Sequence, residues 1–296
     1  MTGIKSRLEH GIWRLRRKAA FRRNHGHVPN LDQPKTFSEK LFKRIMDGED
    51  PSYLHYAMKH RAPEFIREKG VEGLRLARQL KVVERMKPSD FDGMPDAFVI
   101  KSSFGSGLNE VVYDVSNLDV EAVCSRFNAR LQTLRNAQNR RCTDNVAIFE
   151  AFIGNPAFGS PPDDYKFHCF NRLDGTFHCF IQVDSARFGV HRQTILDRDF
   201  KPVGFDFAGQ IRHETTPERP QRLDDLLRIA KAVSAGFDYV RVDLFDTPNG
   251  IYFGEITPFH RGGTARILQP EWEQSLGDLW DQRFPDYQSA EAVAAR

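Results

Sequence analysis

The stretch Tyr239-Val-Arg-Val-Asp-Leu-Phe-Asp-Thr-Pro-Asn-Gly-Ile-Tyr-Phe-Gly-Glu-Ile-Thr257 holds two apolar runs, each interrupted by an acid, around the turn-forming Asp246-Thr-Pro-Asn249-Gly250. Asn-Gly between two β-rich runs predicts a hairpin. Side chains alternate along a strand, so Arg241 and Asp243 share one face while Val240, Val242 and Leu244 take the other. The same rule groups Glu255 with Thr257. Two strands of a hairpin bring Asp243 and Glu255 within reach of one place. Hard oxygen ligands of this kind suit Mg2+, which takes one or two protein carboxylates and keeps its other positions for water and phosphate. An antiparallel hairpin with one solvated face accounts for the same two acids without any ligand, so the rest of the chain has to decide.

Composition bounds the answer. A chain of 296 residues with 40% hydrophobic and 28% charged residues has enough apolar surface to build a core in one large domain or two. No run approaches the roughly 18 apolar residues of a membrane span, and the N-terminus lacks the apolar stretch of a signal peptide, which points to a cytoplasmic protein. The four cysteines, Cys124, Cys142, Cys169 and Cys179, form no CxxC pair and fit a reducing compartment. Charge is unevenly placed. Residues 1–27 carry eight Lys or Arg against Glu9 alone, a net +7, whereas the whole chain carries +3, so the other residues carry −4, the difference of the two. With Ile4, Leu8, Ile12, Trp13 and Leu15 among those charges, two readings stand: a helix docked on the body by its apolar stripe, or an amphipathic helix at an anionic membrane surface. No recognition motif accompanies the charge, and nucleic acid is not expected as a partner.

Read along the chain, the basic helix ends near His25-Gly26-His27-Val28-Pro29, and a second helix begins at Thr36-Phe-Ser38-Glu39, with Thr36 or Ser38 as cap. Helical patterning returns at 53–61 and 63–69. Strands are predicted at 80–83 and 97–101, with a returning strand from Glu110, then a helix over 118–138. A strand at 147–152, a hairpin of 165–170 with 177–183, a helix over 223–237 and a polar, helical C-terminal tail complete the reading. Strands in hairpins separated by helices predict an α+β fold rather than a doubly wound sheet. The expected organisation is a basic N-terminal helical segment (1–35), one lobe at 36–145, a second at 146–283 and a polar tail at 284–296.

Three further stretches carry candidate chemistry. Lys101-Ser-Ser103-Phe-Gly105-Ser106-Gly107 puts a cation at a strand end before a loop of small residues, whose backbone N–H groups could close on phosphate oxygens. It is not a Walker A loop, and a plain hairpin turn explains the glycines equally well. In Asp163-Asp164-Tyr-Lys166-Phe-His168-Cys-Phe170, alternation sets Asp164, Lys166 and His168 on one face; a cation there, facing two metal-binding acids, suits a transferring phosphate. The echo His168-Cys169 and His178-Cys179 resembles a zinc site, but neighbours on a strand point opposite ways, and packing is the better explanation. Arg187 and Arg192 follow the second strand of that hairpin and suit bidentate contact with carboxylate or phosphate.

Taken together these residues resemble the ATP-grasp superfamily, and most closely its branch related to teichuronopeptide biosynthesis proteins (TupA-like). The resemblance runs from about Phe37 to Leu279. Its landmarks are Thr36-Phe-Ser-Glu-Lys-Leu, Lys59, Phe98-Val-Ile-Lys101, Ile148-Phe-Glu150-Ala-Phe-Ile153, Asp164-Tyr-Lys-Phe, Val240-Arg-Val-Asp243 and Gly254-Glu255-Ile-Thr257, in that order. It implies an ATP-grasp fold, with ATP between two α+β lobes. Lys59 and Lys101 would contact phosphates, and Ser103, Gly105, Ser106 and Gly107 would belong to a lid. Glu150, Ala151, Phe152 and Ile153 would form the strand that reads adenine. Lys166 and Arg241, with Arg187 and Arg192 nearby, would act on the transferring phosphate and the acyl group. Asp243 and Glu255 would hold Mg2+, with Thr257 where the superfamily often has Asn. The implied activity is an ATP-dependent carboxylate–amine ligase working through an acyl phosphate on a uronic acid of a cell-surface polysaccharide, with an amino acid or small amine as the other substrate. The alternatives are a metal-dependent glycosyltransferase and a non-catalytic ATP-binding protein.

Overall fold

The larger of two sheets runs β1 (Leu74–Arg75), β10 (Gly250–Thr257), β9 (Tyr239–Thr247), β6 (Asp163–Asn171), β7 (Phe177–Ser185), β8 (Arg192–Leu196) in the computed structural model, which describes residues 2–47, 51–105, 107–137, 145–154, 163–185 and 191–282. Only β1 joins its neighbour in parallel; the other pairs are antiparallel. The smaller sheet runs β2 (Gln79–Val83), β5 (Ala147–Ala151), β3 (Phe98–Ser102), β4 (Asn109–Val112), all antiparallel. The α-helices of the described residues are α1 (Thr2–His25), α2 (Phe37–Asp47), α3 (Pro51–Ala57), α4 (Ala62–Lys69), α5 (Val120–Ala137), α6 (Leu223–Ser234) and α7 (Pro270–Leu279). Among those residues no helix is long and apolar enough to cross a membrane.

Each sheet turns one face to a helix and leaves the other for chemistry. Helix α6 has apolar residues at helical spacing, and Leu223, Leu226, Ile229, Ala230 and Val233 are all buried. They pack on Phe167, Cys169, Ile181, Val240, Val242 and Leu244, the alternate residues of β6, β7 and β9. A fully buried aliphatic side chain contributes about 1.5–3 kcal/mol, so this layer holds the register of the large sheet firmly. In the smaller sheet Phe98, Ile100, Ala147 and Phe149 pack on Val123, Phe127 and Leu131 of α5. By alternation, Lys101 and Glu150 then lie on the sheet's other face.

A third cluster ties the N-terminal helices to the body. Phe37 and Leu41 of α2 pack with Phe170, Tyr239, Leu276 and Trp280. Arg44 forms a buried ion pair with Asp238, donates to the Tyr239 carbonyl at 2.7 Å, and lies 4.5 Å from the Trp280 ring centroid.

The predicted helices and strands are present, with three differences. The change of sheet falls after Ala151 rather than at residue 145, because β5 pairs with β2 and β3, where its apolar residues reach α5. Strand β1 and strand β8 were not expected; β1 is two residues long and β8 follows residues 186–190, outside the described set. The last described helix is α7, and the expected tail at 284–296 lies outside the described residues, as does Cys142. Cys169 and Cys179 face each other across β6 and β7 as buried free thiols, in keeping with packing rather than zinc.

Candidate active site

The uncovered face of the large sheet carries a polar cluster whose geometry follows from register. Lys166 of β6 pairs with Asp243 of β9 on one side and Gln182 of β7 on the other; one row along, His168 pairs with Arg241. Asp164 lies opposite Asp184. Glu255 pairs with Asp243 and Thr257 with Arg241. This last pairing depends on a β-bulge. From Gly250 to Phe253 the hairpin is regular, and continuing it would set Glu255 opposite Val242, on the face covered by α6. The register shifts at Gly254 instead, which turns Glu255 to the same face as Asp243. Gly254 suits the bulge because a Cβ there would lie 3.0 Å from the Asp243 carbonyl oxygen.

Arg241 is the centre of the cluster. It donates to both oxygens of Asp243 at 2.7 Å, to Glu255 Oε1 at 2.7 Å and to Thr257 Oγ1 at 3.2 Å. The Thr257 hydroxyl in turn donates to Glu255 Oε1 at 3.1 Å. Lys166 forms an ion pair with Asp164, and its Nζ is 3.3 Å from Asp184 and 3.6 Å from Asp243. Gln182 and Gln193 donate to Asp184 at 3.0 and 2.9 Å. Arg241 also meets His260 Nδ1 at 3.1 Å. Guanidinium only donates, so Nδ1 accepts and the proton of this neutral imidazole sits on Nε2, a buried nitrogen without a hydrogen-bond partner among the described residues.

Lys59 joins the two sheets. Its Nζ lies 3.0 Å from Glu255 Oε2 and 3.2 Å from the Gly105 carbonyl, and its backbone N–H donates to Ser103. Lys101 pairs with Glu150 at 2.6 Å on the small sheet's open face. Burial works against ionised carboxylates here, but the cations set them apart. Burial raises Asp243 above the usual range despite Arg241. In Glu255 the cost of burial is outweighed by Lys59 and Arg241, which hold it well below that range. Asp184 is likewise buried, yet Lys166 and the two glutamine amides bring it down.

Other expected residues fall elsewhere. Arg192 starts β8 next to Gln193, so alternation turns it from the cluster, and it pairs with Glu214 at 2.8 Å. Arg187 and Ser106 lie outside the described residues. In the Gly-rich loop, Ser103 N–H already donates to Val146 and Phe104 N–H to Asn145, so neither of these two amides is open to phosphate. Gly105 and Gly107 both have left-handed backbones, which their lack of a Cβ permits. Ala151 N–H donates to the Arg78 carbonyl, Phe152 packs against Tyr113 at 5.6 Å, and Ile153 is half-buried. Asp184, Gln182 and His260 were not among the expected site residues. Counting back from the turn at 171–176 would have found Asp184, two residues beyond Gln182 and opposite Asp164.

No group of three or more His, Cys, Asp or Glu fit to hold a metal occurs among the described residues. The paired Asp243 and Glu255 nonetheless fit Mg2+ as a donor set, since that ion needs only one or two protein carboxylates. A large sheet with a charged face, joined by a lysine to a small sheet with a glycine-rich loop, is the arrangement that the ATP-grasp resemblance implied. The family profile described as "TupA-like ATPgrasp" matches residues 39–281, and the chain belongs to that family. Among solved structures it is similar to D-alanine–D-alanine ligase from Helicobacter pylori (16% identity, 69% of this chain and 54% of that one, TM-score 0.44). It is also similar to the Bacillus anthracis D-alanine–D-alanine ligase complexed with ATP (16%, 69% and 55%, 0.39). A third is the N5-carboxyaminoimidazole synthase from Aspergillus clavatus, in complex with ADP and 5-aminoimidazole ribonucleotide (12%, 70% and 45%, 0.43). The match spans about half the length of these structures. No curated protein sequence matches.

Proposed function

We propose that this protein is an ATP-dependent carboxylate–amine ligase, with a uronic acid of a surface polysaccharide as the carboxylate and an amino acid or small amine as the other substrate. The observation that carries the reading is the row Glu255, Asp243, Lys166 with Arg241 beside it: acids fit to hold Mg2+ next to cations fit to meet a transferring phosphate. In this reading Asp243 and Glu255 hold the Mg2+ that neutralises phosphate charge when bound. Lys59 and Lys101 exchange their carboxylate partners for ATP phosphate oxygens. A substrate carboxylate oxygen attacks the γ-phosphorus, the bond to the β-phosphate oxygen breaks and ADP leaves. The amine nitrogen then attacks the acyl carbon, the C–O bond to phosphate breaks, and the nitrogen gives its proton to solvent. Lys166 and Arg241 hold the phosphoryl group through both displacements. Catalysis of this type is positioning and charge neutralisation.

The test is a hydroxylamine trap with Mg2+, ATP and a panel of uronic acids. The expected result is a hydroxamate together with carboxylate-dependent ADP release, both reduced at least about a hundredfold in Glu255→Gln with the fold intact by circular dichroism. Turnover retained in Glu255→Gln would overturn the metal assignment. Binding of a UDP- or GDP-sugar in place of ATP would make the protein a transferase, and ATP binding without ADP release for any carboxylate would make it non-catalytic.

A further inference from the structure

Helix α1 has two apolar faces on opposite sides. One is docked. Trp13 and Phe21 pack with Phe42 and Met46 of α2, Phe21 lying 4.9 Å from the Phe42 ring centroid. Arg14 donates to the Met46 carbonyl at 2.8 Å, and Arg17 reaches the Gly262 carbonyl at 3.3 Å. With about 100° per residue, this docked face centres between positions 13 and 21. The opposite side carries Ile12, Leu15 and Ala19, all exposed, with Leu15 69% and Ile12 42% accessible. In sequence the same spacing continues back through Leu8 and Ile4. Exposed Arg16 and Arg23 border this stripe on one side, and exposed Lys18 and Arg22 on the other.

A helix held to the body by one face has no need of a second apolar stripe for folding. Water is a poor solvent for Leu15 and Ile12, whereas a row of side chains flanked on both sides by cations matches the cross-section of an anionic bilayer surface. Apolar groups enter the acyl boundary and the flanking guanidinium and ammonium groups meet lipid phosphates. We propose that the outward face of α1 is a docking surface for an anionic membrane and holds the enzyme at a lipid surface. Charge decides between occupants. A second copy docked on the same stripe would set the basic borders of two helices against each other, and a nucleic-acid backbone would leave the central Ile12 and Leu15 against phosphate. Since Arg14, Arg17, Trp13 and Phe21 already fasten the helix to the body, binding adds contacts without unfolding it.

The experiment is co-sedimentation of the full chain with vesicles of phosphatidylcholine containing phosphatidylglycerol, compared with phosphatidylcholine alone, at low and high salt. The expected result is binding to the anionic vesicles only, weakened by salt, and at least about tenfold weaker in the double variant Ile12→Ser, Leu15→Ser. Both residues are exposed, so the variant keeps its fold, and Leu173→Ser, an exposed leucine on the turn between β6 and β7, serves as the control that binds like the parent. Three outcomes would overturn the proposal: no binding to anionic vesicles, equal binding by the double variant, or a concentration-dependent dimer in sedimentation velocity that the double variant abolishes. The last would assign the stripe to a second copy of the chain. None of these outcomes depends on whether the enzyme is a ligase.

Discussion

At the scale of single residues the cluster is held by groups that must stay neutral as much as by groups that must stay charged. Nε2–H of neutral His168 donates to Gln182 Oε1 (3.1 Å) and its Nδ1 accepts from Tyr239 OH (2.9 Å), wholly inside the sheet. Burial, reinforced by the Arg241 cation, lowers its pKa to about 3. In the unfolded chain the same imidazole titrates near 6.5. Between those values the unfolded state binds a proton that the native state refuses, so stability is complete above about pH 6.5 and declines as pH falls towards 3. At 1.4 kcal/mol per unit this residue alone accounts for a loss of about 5 kcal/mol at the acid end. His260, also buried and lowered, works in the same direction. Urea denaturation as a function of pH should show the decline beginning near 6.5, and His168→Gln should flatten it between about pH 6.5 and 4. A slope unchanged by the substitution would mean that His168 titrates freely in the native protein.

At the scale of elements, the decisive feature is the bulge in the β9–β10 hairpin. The alternation of Arg241 and Asp243 against Val240, Val242 and Leu244 is plain in the sequence and holds in the structure. Strict alternation on β10, however, groups Glu255 with Phe253, which would bury the acid under α6. The bulge at Gly254, where one extra residue reverses the face, avoids this and sets Glu255 beside Asp243. A glycine between Phe253 and Glu255 was the only local sign, and it has no unique meaning until Asp243 lies across from it. Gly254→Ala should therefore destabilise the protein by about 1–3 kcal/mol in urea denaturation, since its Cβ would meet the Asp243 carbonyl at 3.0 Å and the Phe245 ring. It should also reduce Mg2+-dependent ADP release by more than its effect on stability accounts for at temperatures where the variant is fully folded. Arg192 shows the same rule from the other side. Its position in the chain between Lys166 and Asp243, just after the hairpin's second strand, suggested a role at the site, but β8 turns it away, because a shift of one residue reverses the face.

At the scale of the whole molecule, Lys59 connects the two sheets, reaching Glu255 on one and the Gly105 loop beside the other. In the proposed function, a nucleotide lodged between the sheets would stabilise both together. Mg2+-ATP at a hundred times its dissociation constant should contribute about 2.7 kcal/mol, a rise in melting temperature of roughly 5 °C, whereas UDP- and GDP-sugars should have no effect. Differential scanning fluorimetry with and without Mg2+ measures both, and a shift given by the sugar nucleotides alone would turn the assignment towards a transferase.

What the sequence determined by itself was local and periodic. Apolar spacing marked α5 and α6, alternation marked the strands, and the order of Lys101, Glu150, Lys166, Asp243 and Glu255 pointed to the family, because each rests on neighbours a few residues apart. Tertiary structure decided which face each charge occupies and whom it meets. The bulge set Glu255 beside Asp243, β5 joined the smaller sheet, Asp184 and His260 entered the cluster, and α1 gave one of its two apolar faces to α2 and kept the other exposed. These depend on contacts between segments far apart in the chain, where one residue of register or one helix face changes the partner, and no local periodicity encodes that choice.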